Sequence, residues 1–341
     1  MTRADTGVWQ LGRFDPTDAA AARDWNALQA LAGGSVVQRA ELVFAAAAMS
    51  AVPLTLAVLR RQDEPRAMAL VRARPGLPEV FVESQMPLGA WLQAPGEDLA
   101  ALARSLLARL PLGLRLGVSQ LDPRFVPVPD DPQVSTLPYI RTPWLAVSGG
   151  FADYWAARGK NLRANLRKQR DRLAAQGVAL RTEVLTEPAD MARAVADYAA
   201  LESRGWKAGE GTAVSPSHPQ FGFYRGMLEA FARQGVARVY RCFFGEQLVA
   251  SELCLLDRGE FVILKTTYDE STAPLSPASL LRQPMFEGLF EEGRVDRVEF
   301  YGPLKEWHTR WSSQTRDIYH ANVHAGRLAQ AVVSALRRRP A

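Results

Sequence analysis

Between Ala237 and Tyr268 the chain carries three apolar runs separated by two short polar turns. The runs are Ala237–Phe244, Leu248–Asp257 and Glu260–Tyr268, and the turns are Gly245–Glu246 and Arg258–Gly259. Short glycine-containing connections between strand-like runs are hairpin signals, so a three-stranded meander is expected here. Helical patterns surround it. Phe151–Gln176 reads as one long helix or a broken pair, Asp190–Arg204 and Phe221–Gln234 as helices before the meander, and Ala278–Glu292 as a helix after it. Strands are expected at Val178–Leu185, Arg297–Phe300 and Arg316–Val323, with a terminal helix beyond. The first half shows a similar rhythm. Asp18–Ala32, Arg39–Met49 and Glu97–Leu110 have helical spacing, while Leu54–Leu59, Ala67–Arg72 and Leu114–Val118 read as strands. Asp122–Pro138, with five prolines and three aspartates, reads as a crossing loop. The shared rhythm allows a structural duplication without a sequence repeat.

The 341 residues suit two domains, and 48% hydrophobic against 23% charged residues excludes a disordered or fibrous chain. Charge is uneven. Residues 1–150 balance 14 Arg against 14 acids, whereas residues 151–341 hold 27 basic and 22 acidic residues and carry the whole net charge of +5. An anionic partner is therefore expected at the second half. Only five of the 41 cations are lysines: Lys160, Lys168, Lys207, Lys265 and Lys305. Where Arg is so strongly favoured, a retained Lys is informative. The two cysteines, Cys242 and Cys254, sit in apolar runs and read as buried free thiols in a reducing cytoplasm. The N-terminus lacks the apolar stretch of a secretory signal. Leu42–Leu59 is uncharged, but Pro53 splits it into a helix and a strand rather than a membrane span.

Four constellations carry chemistry. The first runs from Arg158 to Arg172, with seven basic residues against one acid. Lys160, Arg163 and Arg167 lie at i, i+3 and i+7, on one helix face, and suit an anion; the alternative is a solvated face. The second is Glu202 followed by Trp206-Lys207 at a helix end, leading into a glycine-rich loop. It reads as a general base beside a binding pair, or as an ordinary salt bridge. The third is Lys265-Thr-Thr-Tyr268-Asp269, then Ser276-Pro277-Ala278-Ser279 opening a helix, where free N–H groups attract phosphate. The fourth is Tyr301-Gly-Pro-Leu-Lys305-Glu-Trp307 at a strand end, with core packing as the alternative for the aromatics. His218, His308, His320 and His324 are scattered, and no metal site is expected.

In order, Lys160–Lys168, Leu201–Thr212, Phe223–Arg225, Leu248–Leu253, Lys265–Glu270, Leu275–Leu281 and Glu299–Trp307 resemble the GNAT-like acyltransferases of the FemAB/CelD type. The resemblance covers about Lys160–Trp307. It implies an α/β protein of two tandem GNAT-like lobes, residues 1–150 and 151–341, each a mixed, mainly antiparallel sheet flanked by helices. It implies transfer of an acyl group from acyl-CoA or acetyl-CoA to an amine or hydroxyl of a small molecule, a saccharide or an envelope or exopolysaccharide precursor. Contact with a membrane-bound precursor would be peripheral, and DNA is not an expected partner. Aminoacyl transfer from charged tRNA is the alternative donor chemistry, and an inactive binding module of a polysaccharide assembly is the rival class. Implied catalytic groups are Glu202 or Asp269 as proton acceptor, Tyr268 or Tyr301 as proton donor, and Lys305. Lys160, Arg163, Arg167, Trp206, Lys207, Lys265 and Trp307 would bind substrate, and Ser276, Ala278 and Ser279 would meet the CoA phosphates. Many members read Ser-Pro-Gly where this chain has Ser276-Pro277-Ala278, so a methyl group stands where glycine lets backbone approach phosphate.

Overall fold

The computed structural model describes residues 7–203 and 218–337. Packing divides the chain into two units. Unit 1 takes the residues up to Arg141 and those from Asp317 onward, and unit 2 is Thr142–Arg316. The chain thus returns to its first unit after the second, and residues 317–337 pack with the first half rather than continuing the second.

Unit 1 contains strand β1 (Val8–Arg13), helices α1 (Ala19–Leu31) and α2 (Ala40–Ala48), and strands β2 (Leu54–Arg61), β3 (Glu64–Arg72), β4 (Glu79–Val80) and β5 (Trp91–Gln93). Helix α3 (Leu99–Leu107) and β6 (Arg115–Leu121) follow, then most of β7 (Val134–Ala146). Asp18 caps α1 by accepting from the Ala20 and Ala21 amides, and Asp98 caps α3 through Ala101. The uncharged Leu42–Leu59 segment divides at Pro53 into α2 and β2, and among the described residues no helix is long and apolar enough to cross a membrane.

Unit 2 begins in β7 and continues through α4 (Phe151–Ala156), α5 (Lys160–Ala175), β8 (Leu180–Leu185), α6 (Pro188–Glu202), α7 (Pro219–Ala232), β9 (Ala237–Phe244), β10 (Gln247–Asp257) and β11 (Glu260–Tyr268). Helix α8 (Pro277–Glu291), β12 (Arg297–Glu299), α9 (Glu306–Thr309) and the start of β13 (Gln314–His324) complete it; α10 (Arg327–Arg337) ends the described chain in unit 1. Phe151–Gln176 is the broken pair, interrupted at Gly159. The meander is present as expected. Its second turn needs Arg258 at φ 45° and Gly259 at φ 79°, and a Cβ on Gly259 would lie 2.2 Å from Asp296 Oδ2. Both cysteines are fully buried, and burial pushes the Cys242 thiol up to about 12, which keeps it un-ionised and inert.

The strands of the two units share one plan. Unit 1 orders its strands β1-β2-β3-β4-β6-β13 and unit 2 orders them β8-β9-β10-β11-β12-β7. In each, one pair is parallel, β4 with β6 and β11 with β12, and the other pairs are antiparallel. Each unit is therefore a mixed, mainly antiparallel sheet with flanking helices, the tandem arrangement the resemblance implies.

The parallel pair is where the units differ. In unit 1 the chain returns between the parting strands: Gly89 N donates to Gln120 O at 3.2 Å, and Ala90 N to Phe81 O at 2.9 Å. Phe81, Met86, Leu88 and Trp91 are buried there. Only glycine permits the approach, since a Cβ on Gly89 would lie 2.2 Å from the Ser119 carbonyl oxygen. In unit 2 no such segment enters among the described residues. Gly89→Ala is expected to force the inserted segment off β6 and to cost about 1–3 kcal/mol of stability, read as a lowered midpoint in urea unfolding. An unchanged midpoint would mean that the insertion contributes nothing.

Candidate functional site

Strands β11 and β12 pair in parallel for three residues only: Glu260 with Arg297, Phe261 with Val298, and Val262 with Glu299. Beyond Val262 the two part. β11 runs on to Tyr268 with β10 on one side and no β12 on the other. Leu264 is an extra residue in this stretch, because Leu253 pairs with Lys265 and Cys254 with Ile263. Such a bulge bends a strand and re-aims its backbone groups. β12 ends at Glu299, and the chain leaves through Tyr301, held at φ 47°. An aromatic residue in that region stores roughly 1–2 kcal/mol of strain.

The parting opens a cleft of about 630 Å³. One wall is Ile263–Thr266 and Tyr268. The opposite wall is Phe300, Gly302, Pro303, Lys305, Trp307 and His308, and α8 closes the end with Ser276, Pro277, Ala278, Ser279 and Arg282. Pro277 sits at the first position of α8, where its missing N–H costs nothing. Ser276 is left-handed, at φ 57°, and its carbonyl accepts from Ser279 N and Leu280 N at 3.0 Å each. Ala278 N has no hydrogen-bond partner among the described residues, so it is an available donor at the positive end of α8.

Under the cleft lies a network whose members Glu252, Thr266 and Trp307 fall in separate motif segments, with no sequence sign that they meet. Glu252 of β10 is 0% exposed and Arg282 of α8 is 2% exposed, and Arg282 Nη2 donates to Glu252 Oε1. Thr266 Oγ1 donates to the same oxygen at 3.3 Å. Burial raises the Glu252 pKa, and the Arg282 charge opposes that shift. The guanidinium lies 4.3 Å from the Trp307 ring centroid. Trp307 stacks on His308 at 3.6 Å, and Lys305 N donates to His308 Nδ1 at 2.8 Å. With Nδ1 accepting, a neutral His308 carries its proton on Nε2 and is a donor. His308 is 4% exposed. Burial pushes its pKa down to about 4, the Arg282 charge adds to this, and the Lys305 amide opposes it. No other histidine neighbours it in sequence; its place directly after Trp307, the end of the last motif segment, is its one sequence signal.

The structure gathers Tyr268, Lys265, Ser276, Ala278, Ser279, Lys305 and Trp307 around this cleft. The Lys265 ammonium lies 5.4 Å from the Tyr224 ring centroid. Glu202, 1% exposed at the end of α6, does not line the cleft; it accepts from Tyr198 Oη at 3.2 Å. Asp269 caps the turn after β11, accepting from Ser271 N at 3.0 Å, Ser271 Oγ at 2.6 Å and Gln247 Nε2 at 3.0 Å. Tyr301 is buried outside the cleft wall, with the Arg316 guanidinium 5.1 Å from its ring centroid. Lys160, Arg163 and Arg167 line a separate groove on α5. Trp206 and Lys207 lie outside the described residues. Among the described residues no cluster of His, Cys, Asp and Glu is arranged to hold a metal ion.

The family model described as an acetyltransferase (GNAT) domain matches residues 160–336. No curated protein matches the sequence. Among solved structures, FemX superposes with a TM-score of 0.60 at 9% identity, over 96% of this chain and 100% of that one. The C-terminal domain of a protein assigned as a lysylphosphatidylglycerol synthetase from Agrobacterium fabrum gives 0.57 at 14% identity, over 94% and 97%. L-PGS from Bacillus licheniformis gives 0.52 at 14% identity, over 93% and 97%. At these identities the likeness concerns the fold alone.

The depressed His308 pKa makes stability depend on pH. Between its folded value near 4 and the ordinary value of 6.5, the unfolded chain binds a proton that the folded one refuses. This contribution is complete above pH 6.5 and is lost as pH falls toward 4. Its loss by pH 4.5 is about 2–3 kcal/mol. His308→Asn, whose side-chain oxygen can still accept from Lys305 N, should lose less stability than the parent between pH 7.5 and 4.5 in urea unfolding. Equal losses would show that His308 is not held neutral by its surroundings.

Proposed function

Because the chain belongs to the acetyltransferase (GNAT) domain family, we propose that unit 2 is an acyltransferase, working in the cytoplasm, whose cleft receives an acyl-CoA. The acyl group goes to an amine or hydroxyl of a small-molecule, saccharide or envelope precursor. The observation that supports this most is the wedge between β11 and β12, open in unit 2 and filled by Gly89–Ala90 in unit 1. A bare strand edge offers backbone N–H and C=O groups to an extended, amide-bearing chain. The residues present fit such a ligand. Ala278 N and the α8 dipole face the place for a pyrophosphate, flanked by Ser276, Ser279 and Lys265. The Ala278 methyl group narrows that approach relative to glycine.

When bound, acyl-CoA supplies an activated carbonyl. The acceptor nucleophile forms a bond to that carbon, the carbon–sulfur bond breaks, and one proton passes from acceptor to leaving thiolate. Lys305, with the β11 backbone at the Leu264 bulge, holds the developing oxyanion. Tyr268, exposed at the end of β11, returns a proton to the sulfur. Of the two carboxylates considered as proton acceptors, Asp269 spends three accepted hydrogen bonds on its own turn and Glu202 is buried outside the cleft on Tyr198, so we assign the passage of the acceptor's proton to the thiolate to Tyr268 rather than to either carboxylate. Tyr301 and Asp269 then act as positioning residues, fixing where β12 and β11 end. Trp307, held over Arg282, is the apolar wall for the acyl group.

A panel of acyl-CoA donors against amine, sugar and lipid-linked acceptors, read by mass spectrometry, tests the reading. Lys305→Ala and Tyr268→Phe should each lower kcat/KM by about 10²-fold or more while leaving the thermal midpoint within a few degrees. Full activity in either of them removes that residue's role. Absence of both turnover and CoA binding by the parent protein would favour an aminoacyl-tRNA donor or a binding module instead.

A further inference from the structure

The groove on α5 is built differently from the cleft. It encloses about 570 Å³ and is lined by Trp155, Lys160, Arg163, Arg167, Arg170 and Gln283, with Asp171 as its one acid. Among the described residues, none of these four cations makes an ion pair with an acid. Several other arginines of unit 2 are committed: Arg181 and Arg241 to Glu183, Arg238 to Glu292, Arg282 to Glu252, and Arg316 to Glu299.

The placement is also unfavourable to α5 itself. Lys160 and Arg163 occupy its first turn, which contains no acid, and the Gly159 cap provides no side-chain acceptor. Cations at the positive end of a helix destabilise it, and an anion there would reverse the sign. Two further groups point to what that anion carries. Trp155 is half-buried, stacked on Phe151 and Trp311, and presents its remaining surface to the groove. The buried Gln283 Oε1 has no hydrogen-bond partner among the described residues, so the side-chain amide is available as an acceptor. A cluster of guanidinium groups beside an indole and an amide suits phosphates joined to a planar base.

We propose that this groove binds the phosphorylated nucleotide end of the acyl donor, apart from the cleft that takes its acyl end. α5 and the start of α8 are joined where Asn165 Nδ2 donates to Ser276 Oγ at 3.1 Å, so one ligand can follow α8 from the cleft to the groove. The inference rests on the donor being nucleotide-borne, the chemistry that coenzyme A and the 3′ end of a charged tRNA share.

Calorimetry on the full chain, with adenosine 3′,5′-bisphosphate and with inorganic pyrophosphate, tests binding without any acyl chemistry. The parent should bind the nucleotide, pyrophosphate should compete, and Arg163→Ala/Arg167→Ala should weaken binding by about 10-fold or more, since each charged hydrogen bond is worth roughly 1.5–3 kcal/mol. Trp155→Leu should weaken the nucleotide but not pyrophosphate, and both arginines are exposed, one in the first turn of α5, so their loss should not lower the thermal midpoint. Coenzyme A against its 3′-dephospho form, and a short RNA ending in CCA, distinguish the two donors. Unchanged affinity in the double variant, or binding of anionic vesicles but of none of these nucleotides, would overturn the proposal. Nucleotide binding at α5 without acyl transfer would instead remove the functional reading and leave this one standing.

Discussion

Arg282 and Glu252 form an ion pair with almost no surface left to water, and the floor of the cleft is arranged around it. Taking both charges out of water costs several kcal/mol per ion, which their attraction offsets only when the remaining polar atoms are satisfied. Here Arg282 Nε and Glu252 Oε2 have no hydrogen-bond partner among the described residues. An apolar pair of the same size would serve stability at least as well. What the charges provide is position. The guanidinium ties α8 to β10, lies under Trp307 at 4.3 Å and 5.8 Å from the Trp311 ring centroid, and helps keep His308 neutral. One fixed charge therefore sets an aromatic wall, a helix and the protonation of a donor histidine in the same cleft.

The two units differ most at one place in their common strand plan. Both run through the same strand order with one parallel pair. In unit 1 a few residues around Gly89 fill the gap with backbone hydrogen bonds of their own. In unit 2 the equivalent gap is left to β11, and the strained turn at Tyr301 carries the returning chain away from it. Glycine at 89 and a left-handed aromatic at 301 thus act in opposite senses, one letting the backbone close together and the other carrying it apart.

Much of this was legible from local pattern. The meander, the break at Gly159, the division of Leu42–Leu59 at Pro53 and the loop opening α8 each rest on residues close in sequence, where turn chemistry and periodicity decide. What was not legible depends on distant partners. Val134–Pro138 was assigned to a proline-rich loop, yet it begins the long strand β7; the edge strand β1 pairs with β2 some 45 residues later. The Leu264 bulge exists only relative to β10, and Glu252 meets Arg282 across 30 residues. The C-terminal segment's return to unit 1 carried no local mark either. The FemAB-like motif order supplied the tandem fold and drew attention to the cleft walls, while leaving the network beneath them unannounced.

The scarcity of lysine takes on physical meaning in this setting. Arginine's planar fork suits fixed partners, and several buried or half-buried arginines of unit 2 hold such partners: Arg282 on Glu252, Arg316 on both oxygens of Glu299 at 2.9 and 2.7 Å, and Arg297 over Trp144 at 3.8 Å. Lysine offers instead a point charge on a flexible stem. Lys265 and Lys305 stand on opposite walls of the cleft, and Lys160 stands at the mouth of the α5 groove. Lys168 is exposed and lines neither. Arginine therefore serves where unit 2 needs a permanent ion pair, and three of the five lysines line the cleft and the α5 groove instead.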